Sequence, residues 1–365
     1  MKIVVFGLTI TSTWGNGHAT LWRGLGKALA QQGHDFVFFE RDVPYYAGAR
    51  DLESLPGGVL VLYPDWQSVL PRACLEIQDA EVTIVTSYCP DAITAADLVN
   101  SRGTALRVFY DLDTPVTLAQ LADGHEVPYI GSRGLADFDL VLSYTGGGAL
   151  AALRTRLGAQ AVAPLYGHVD PDVHHPVPAL PHYRSDLSYL GTYSADRQEA
   201  LESYFINPAR QRPEQRFLIG GAQYPQQFPW SSNIHFVRHL PPSEHPAFYS
   251  SSRLTLNVTR APMARMGFCP SGRLFEAAAC GVPILSDNWA GLGHFFTPGA
   301  EIIVVSSEQE ALAALDLSDG ELARVGRAAR ERTLDQHTSD QRAIELVAAL
   351  ETARSRSDQR VPVEA

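Results

Sequence analysis

Residues 257–287 of this 365-residue chain, NVTRAPMARMGFCPSGRLFEAAACGVPILSD, concentrate the groups that a phosphorylated ligand needs. An apolar run through Asn257 reads as a strand. A basic, glycine-containing loop with Arg265 follows, then a helix that begins near Ser271 and carries Arg273 and Glu276, then Gly281-Val282-Pro283 and another strand. A helix start presents unpaired backbone N–H groups and the positive end of the helix dipole. Ser271 and Gly272 can therefore donate to a diphosphate, and Arg265 or Arg273 can neutralise its charge. Glu276, on the same helix, can accept hydrogen bonds from ribose hydroxyls.

Two further constellations sit nearer the N-terminus. Trp14-Gly15-Asn16-Gly17-His18 follows the apolar run 2–8 and opens a helical pattern carrying Leu21, Leu25, Ala28 and Leu29 before Gly33. The glycines allow close backbone approach, Trp14 offers a face to stack on a sugar, and His18 titrates near neutrality and can take a proton from a hydroxyl. The third constellation is Asp111-Leu112-Asp113-Thr114-Pro115. Alternation places its two carboxylates on one side, where they can deprotonate an acceptor, stabilise a cationic sugar or hold a metal. The same residues also suit a helix cap before Val116. A dinucleotide-binding reading has Glu40 at the end of a strand in its favour. It fails on its glycines, because the third position is Thr20 and seven residues separate Gly7 from Gly15.

These residues need a scaffold. Apolar runs at 2–8, 35–40, 58–64, 82–88, 105–111 and 140–144 read as strands with helices between several of them, as at 91–101, which predicts a doubly wound parallel sheet. Four prolines in the thirteen residues 171–183 then break the pattern. It restarts with strands at 186–191, 216–221, 234–240, 253–259 and 282–287, and with helices near 195–205, 271–280, 308–315 and 319–333. A last helix at 338–354 has Ile344, Leu346, Val347 and Leu350 as its apolar stripe. Residues 1–168 and 185–354 are expected as two domains joined by a linker at 169–184, with the last helix able to pack back on the first domain and 355–365 as a flexible tail. In such sheets ligands bind beyond the carboxyl ends of the strands, where all three constellations lie.

Composition narrows the partners. An apolar fraction of 45% and a charged fraction of 19% are too hydrophobic for a disordered chain. A net charge of −11 argues against nucleic acid. No N-terminal basic and apolar leader and no run of about 18 apolar residues is seen, so a cytoplasmic protein without a transmembrane segment is expected. Cys74, Cys89, Cys269 and Cys280 form no zinc-type spacing, and the adjacent His174 and His175 point different ways, so no metal site is expected.

With these residues in view, the chain resembles the GT-B-fold glycosyltransferases over almost its whole length, and within them the CgeB-like, spore-maturation-protein-like branch. FEAAACGVPILSD is similar to the family's donor-domain stretch, and the resemblance gives Glu276 the donor ribose. PLYGHVDPDVHHPV resembles the interdomain connection. Gly191-Thr192-Tyr193 with Arg197 resembles the donor domain's first loop, which contacts the nucleotide or its phosphates, and GNGH resembles the acceptor-side glycine loop. One position departs from the pattern. Where retaining members of the sucrose-synthase-like group carry a second acid, eight residues before Glu276, this chain has Phe268.

The resemblance implies an α/β protein of GT-B type, with two Rossmann-like βαβ domains facing a central cleft. The implied reaction is metal-independent transfer of a hexose from a nucleotide-diphosphate-sugar, a substrate rather than a cofactor, to a hydroxyl-bearing acceptor. Gly191, Tyr193, Arg197, Asn257, Arg265, Ser271, Gly272, Arg273 and Glu276 are expected on the donor. His18, Asp111 and Asp113 are expected to activate the acceptor beside the loop Trp14 to Gly17. A nucleotide-sugar 2-epimerase of the same fold and a non-catalytic sugar-nucleotide-binding protein remain as alternatives.

Overall fold

The computed structural model describes residues 1–101 and 104–358, which form two compact units. The first comprises Met1–Tyr166 together with the chain from Ser339, and the second Gly167–Thr338. The proline-rich stretch expected as a linker thus counts with the second unit, and the last helix, Ser339–Asp358, with the first. Residues 355–358 of the expected tail continue that helix, while 359–365 lie outside the described residues.

The sheet of the first unit is built from β1 (Lys2–Gly7), β2 (Asp35–Arg41), β3 (Val59–Tyr63), β4 (Val82–Thr86), β5 (Leu106–Asp111), β6 (Leu140–Ser143) and β7 (Val162–Pro164). All pairings are parallel, in the order β3-β2-β1-β4-β5-β6-β7. Strands such as DFVFFER and VTIVT are nearly continuous apolar runs because both their faces are covered. On one face Trp22, Leu25 and Leu29 of the helix His18–Gln31 meet Phe36 and Phe38, joined by Ala343, Leu346, Leu350 and Ala353 of the last helix. Ile344, expected in that apolar stripe, points outward and is 54% exposed.

The second unit repeats the plan with β8 (Leu187–Leu190), β9 (Phe217–Gly221), β10 (Ile234–Arg238), β11 (Thr255–Asn257), β12 (Ile284–Asp287) and β13 (Ile303–Val305), all parallel in the order β10-β9-β8-β11-β12-β13. Both sheets reverse direction of winding at a switch point, between β1 and β4 and between β8 and β11. The crevice beyond those strand ends is where such sheets bind ligands. Among the described residues no helix is long and apolar enough to cross a membrane.

Candidate active site

At the switch point of the first unit, the loop after β1 is shaped by two side chains. Glu40, at the end of β2, is 1% exposed, and its carboxylate accepts from Thr9 Oγ1 (3.0 Å), Ile10 N (2.7 Å), Thr11 N (2.9 Å) and Thr11 Oγ1 (2.6 Å). It is committed to the loop and has no lone pair to spare for a ribose. Replacing Glu40 by alanine strands two buried N–H groups. A loss of about 3–5 kcal/mol is expected in a urea unfolding curve, and a change within experimental error would contradict this role.

Asn16 is the second of these side chains. Its Oδ1 accepts from the backbone N–H groups of His18 (3.0 Å) and Ala19 (3.3 Å), while Nδ2 donates to the carbonyls of Ser12 (3.3 Å) and Trp14 (3.1 Å). Two of the N–H groups at the start of the helix His18–Gln31 are therefore taken by Asn16. Gly15 has φ +68°, and a Cβ there would lie 3.0 Å from the Tyr45 hydroxyl; Gly17 and Trp14 are exposed.

His18 is half-buried, with Nδ1 unpartnered, and burial lowers its pKa to about 4, so the ring is neutral at physiological pH. It meets Tyr88 edge-on, with ring centroids 5.6 Å apart, and the Tyr88 hydroxyl donates to Asp113 Oδ2 at 3.2 Å. Tyr88 follows β4 with φ +62°, a strained backbone for a bulky residue. The fold thus links His18, Tyr88 and Asp113 at one rim. Tyr88 escaped the sequence reading because an apolar run ending in a tyrosine carries no sign of backbone strain.

The expected pairing of the two aspartates does not hold. Asp111 is fully buried, and its Oδ1 turns under the following helix to accept from Asp113 N (3.0 Å) and Thr117 Oγ1 (3.1 Å). Asp113 faces Tyr88 instead. The Asp111 carboxylate holds the turn into the helix Thr114–Ala122, whose N–H groups of Val116 and Thr117 go to the Asp113 carbonyl, so the expected side-chain cap is not formed. Burial, reinforced by the Asp113 charge, raises the Asp111 pKa to about 6. A carboxyl whose folded-state pKa lies above its unfolded value holds its proton more tightly in the native state. Its contribution therefore falls as pH rises from about 4 to about 6 and is flat beyond. Asp111→Asn is expected to remove that slope and to stabilise the protein at neutral pH by about 2–3 kcal/mol. Urea melts across this pH range would show it, and a destabilised variant at neutral pH would refute it.

The second unit assembles its residues around the N-terminus of the helix Gly272–Ala279. Arg273 Nη1 donates to the Leu190 carbonyl, Nε to Ser271 Oγ (3.1 Å), and the guanidinium lies 5.6 Å over the Tyr189 ring. Arg197 Nη1 donates to the Tyr189 hydroxyl at 2.8 Å. Two guanidiniums therefore converge on one buried phenol beside Gly191, and together they hold that phenol's pKa below the ordinary value although burial opposes it. Tyr189 was not among the expected residues, since its strand reads only as core. Gly191 leaves room for the guanidinium, since a Cβ there would stand 2.5 Å from Arg273 Nη1 and would push it from its place. Ser271, which caps the helix through its backbone, accepts from Arg273 and keeps its hydroxyl proton to donate.

Other expected donor residues take lesser positions. Tyr193 packs into an aromatic cluster with Tyr224 (5.6 Å) and Phe228 (6.2 Å). Asn257 is buried and donates Nδ2 to Ser286 Oγ at 3.1 Å, with Oδ1 unpaired. Arg265 is exposed on the short helix Ala261–Met266. Phe268 sits at φ +47°, pinned by its N–H to the Ala290 carbonyl at 2.7 Å. Glu276 is largely buried, with His245 Nδ1 at 3.6 Å and His174 Nε2 at 4.0 Å. Burial alone would raise its pKa, but His245, His174 and Arg273 outweigh it and hold the carboxyl at about 2.

The geometry is thus a doubly wound unit in which one helix start carries backbone donors, the Arg273 guanidinium and the ionised Glu276, with the Arg197 guanidinium brought to the same phenol from the turn Ala195–Arg197. Sequence comparison agrees with that chemistry: residues 197–348 match the family described as glycosyl transferase-like. Similar solved structures extend over both units. Sucrose-phosphate synthase from Thermosynechococcus elongatus superposes with a TM-score of 0.66 at 15% identity, covering 97% of this chain and 99% of its own. HepE of Anabaena, in complex with UDP and glucose, gives 0.64 at 12%, covering 96% and 100%. The trehalose-6-phosphate protein from E. coli bound with UDP-2-fluoro glucose gives 0.63 at 12%, covering 96% and 99%. The fold is that of the GT-B glycosyltransferases. A comparison with curated protein sequences finds no match. Within the GT-B plan the first and second units correspond to the two Rossmann-like domains expected from the sequence, and the glycosyl transferase-like segment covers most of the second.

Proposed function

We propose that the protein transfers a hexose from a nucleotide-diphosphate-sugar to a hydroxyl-bearing acceptor, and that its second unit holds the donor. The observation that carries this reading is the convergence of Arg273, Arg197, Ser271 and Gly191 at the start of the Gly272–Ala279 helix. As the bond between the anomeric carbon and the diphosphate oxygen breaks, negative charge develops on the leaving group, and preorganised cations and N–H donors stabilise it most there. The diphosphate's charge is met in this way by protein groups, without a metal in the transfer step. Arg265, exposed and nearby in sequence, supplements them, and Glu276 takes the ribose hydroxyls.

The first unit serves the acceptor in this account. His18, neutral and with a free Nδ1, is the group suited to take the acceptor proton, with Tyr88 and Asp113 fixing its surroundings, while Asp111 supports the turn. The order of the motifs GNGH, the proline-rich stretch and FEAAACGVPILSD supports placing the chain in the CgeB-like branch.

Incubation with UDP-glucose or another sugar nucleotide, with and without a panel of hydroxyl acceptors, tests the reading. Nucleoside diphosphate release that depends on an acceptor is the expected result. Formation of an epimer from donor alone, or nucleotide binding with no turnover on any acceptor, would overturn it.

A further inference from the structure

Three side chains from separate stretches of the second unit converge on one buried point. His174 closes the turn that starts at Asp170, with its N–H bonded to the Asp170 carbonyl at 2.9 Å. His245 is the first residue of the helix His245–Ser250, and Glu276 lies in the middle of Gly272–Ala279. The proline-rich stretch is laid along the His245–Ser250 helix by bonds from Val177 N to Ser250 Oγ (3.1 Å) and from Leu180 N to Ser251 Oγ (2.8 Å). Chain segments seventy and thirty residues apart, roughly, are thereby brought into register at one spot.

The polar atoms there approach one another no closer than 3.6 Å, beyond hydrogen-bond distance. His174 is 1% exposed, yet neither of its ring nitrogens has a hydrogen-bond partner, and the same holds for His245 Nδ1 and Glu276 Oε2. Buried polar atoms in native folds are almost always paired, so three residues that each bring an unpaired atom to one spot point to a missing partner. Each residue can bring one ligand atom, and these atoms lie within 4.8 Å of one another. Bonds of about 2.0–2.2 Å in a tetrahedral zinc site separate the ligand atoms by roughly 3.4 Å, so small side-chain rotations close the set. Two imidazole nitrogens with one carboxylate oxygen suit zinc and its neighbours, whereas magnesium and calcium prefer oxygen alone.

We propose that His174, His245 and Glu276 form a binding site for a divalent transition-metal ion of the zinc type, with one coordination position open. The ion is separate from any diphosphate counter-ion. Its site rests on these three side chains and not on the donor reading, although Glu276 is common to both. Occupancy fastens the turn at 170–174 to two helices of the second unit.

The test uses the whole protein, stripped with chelator, desalted and titrated with Zn²⁺ by calorimetry. One ion per chain is expected, with a rise in Tm of roughly 5–10 °C at a hundredfold excess over Kd. His245→Ala and Glu276→Gln should each weaken binding at least tenfold. His174 is so buried that its variants can misfold, so His245→Ala decides, with its metal-free melting temperature as the folding control. Co²⁺ in place of Zn²⁺ should give visible d–d bands without a thiolate charge-transfer band. Absence of a zinc-dependent shift, unchanged affinity in His245→Ala, or a thiolate band would each overturn the assignment. Because no nucleotide is present, failure of the donor reading leaves this readout untouched.

Discussion

Replacing Arg273 by alanine is expected to lower kcat/KM for sugar transfer by about a hundred- to a thousandfold, the usual consequence of deleting a preorganised donor to a developing anion. The guanidinium is held from three sides, by the Leu190 carbonyl, by Ser271 Oγ and by the Tyr189 ring, so its position is set before any ligand arrives. Arg197, bonded to the same Tyr189 hydroxyl, leaves residual positive charge, and the loss should stop short of complete inactivity. Arg273→Lys should recover only part of the activity. A lysine supplies the charge but cannot contact a carbonyl, a hydroxyl and a phosphate at once through a planar fork. Melting curves of both variants would separate a folding defect from loss of transition-state stabilisation. Unchanged turnover in a folded Arg273→Ala protein would refute the assignment.

Glu276→Gln is expected to weaken ribonucleoside diphosphate binding by roughly ten- to a hundredfold, since a hydrogen bond to an ionised carboxylate contributes about 1.5–3 kcal/mol. The carboxyl is held at about 2 by two imidazoles and Arg273 and is ionised throughout the physiological range. The decisive comparison is between ribo- and 2′-deoxyribonucleotides. The native protein should prefer the former, and the variant should lose most of that preference. A variant that weakens both equally would place Glu276 away from the ribose and make its role one of supporting Arg273.

Much of this architecture was legible before any coordinates. Strands buried on both faces are written as apolar runs, which is why FVFF, VTIVT and FLIG announce themselves, and why two doubly wound units with a proline-rich stretch between them could be expected. The short outer strands Val162–Pro164 and Ile303–Val305 escaped because three residues carry too little periodicity to stand out. The helix expected near 195–205 is broken into a 3₁₀ turn, a short α segment and a π segment, differences in hydrogen-bond register that leave the apolar pattern intact.

The site was legible where its residues share one element. Ser271, Arg273 and Glu276 lie within a helix turn or two of each other, and their chemistry follows from spacing. It was illegible where strand order makes neighbours. β1 and β4 are adjacent only because the sheet reverses between them, so nothing local joins His18 to Tyr88. The same is true of His174 and His245 around Glu276, and of Arg197 meeting Arg273 across Tyr189. Asp111 and Asp113 show the opposite error. Alternation along an extended chain suggested a common face, but the chain leaves the strand at Asp111, whose carboxylate is taken up by the turn N–H of Asp113 and the Thr117 hydroxyl.

The central claim, that the second unit holds the diphosphate of a sugar nucleotide, is tested most directly by calorimetric titration of the whole protein with UDP-, GDP- and dTDP-sugars and their free diphosphates. The account predicts saturable one-to-one binding of at least one of these, driven by the diphosphate and weakened at least tenfold in Arg273→Ala. Absence of binding with every nucleotide, or binding unaltered by that substitution, would contradict it.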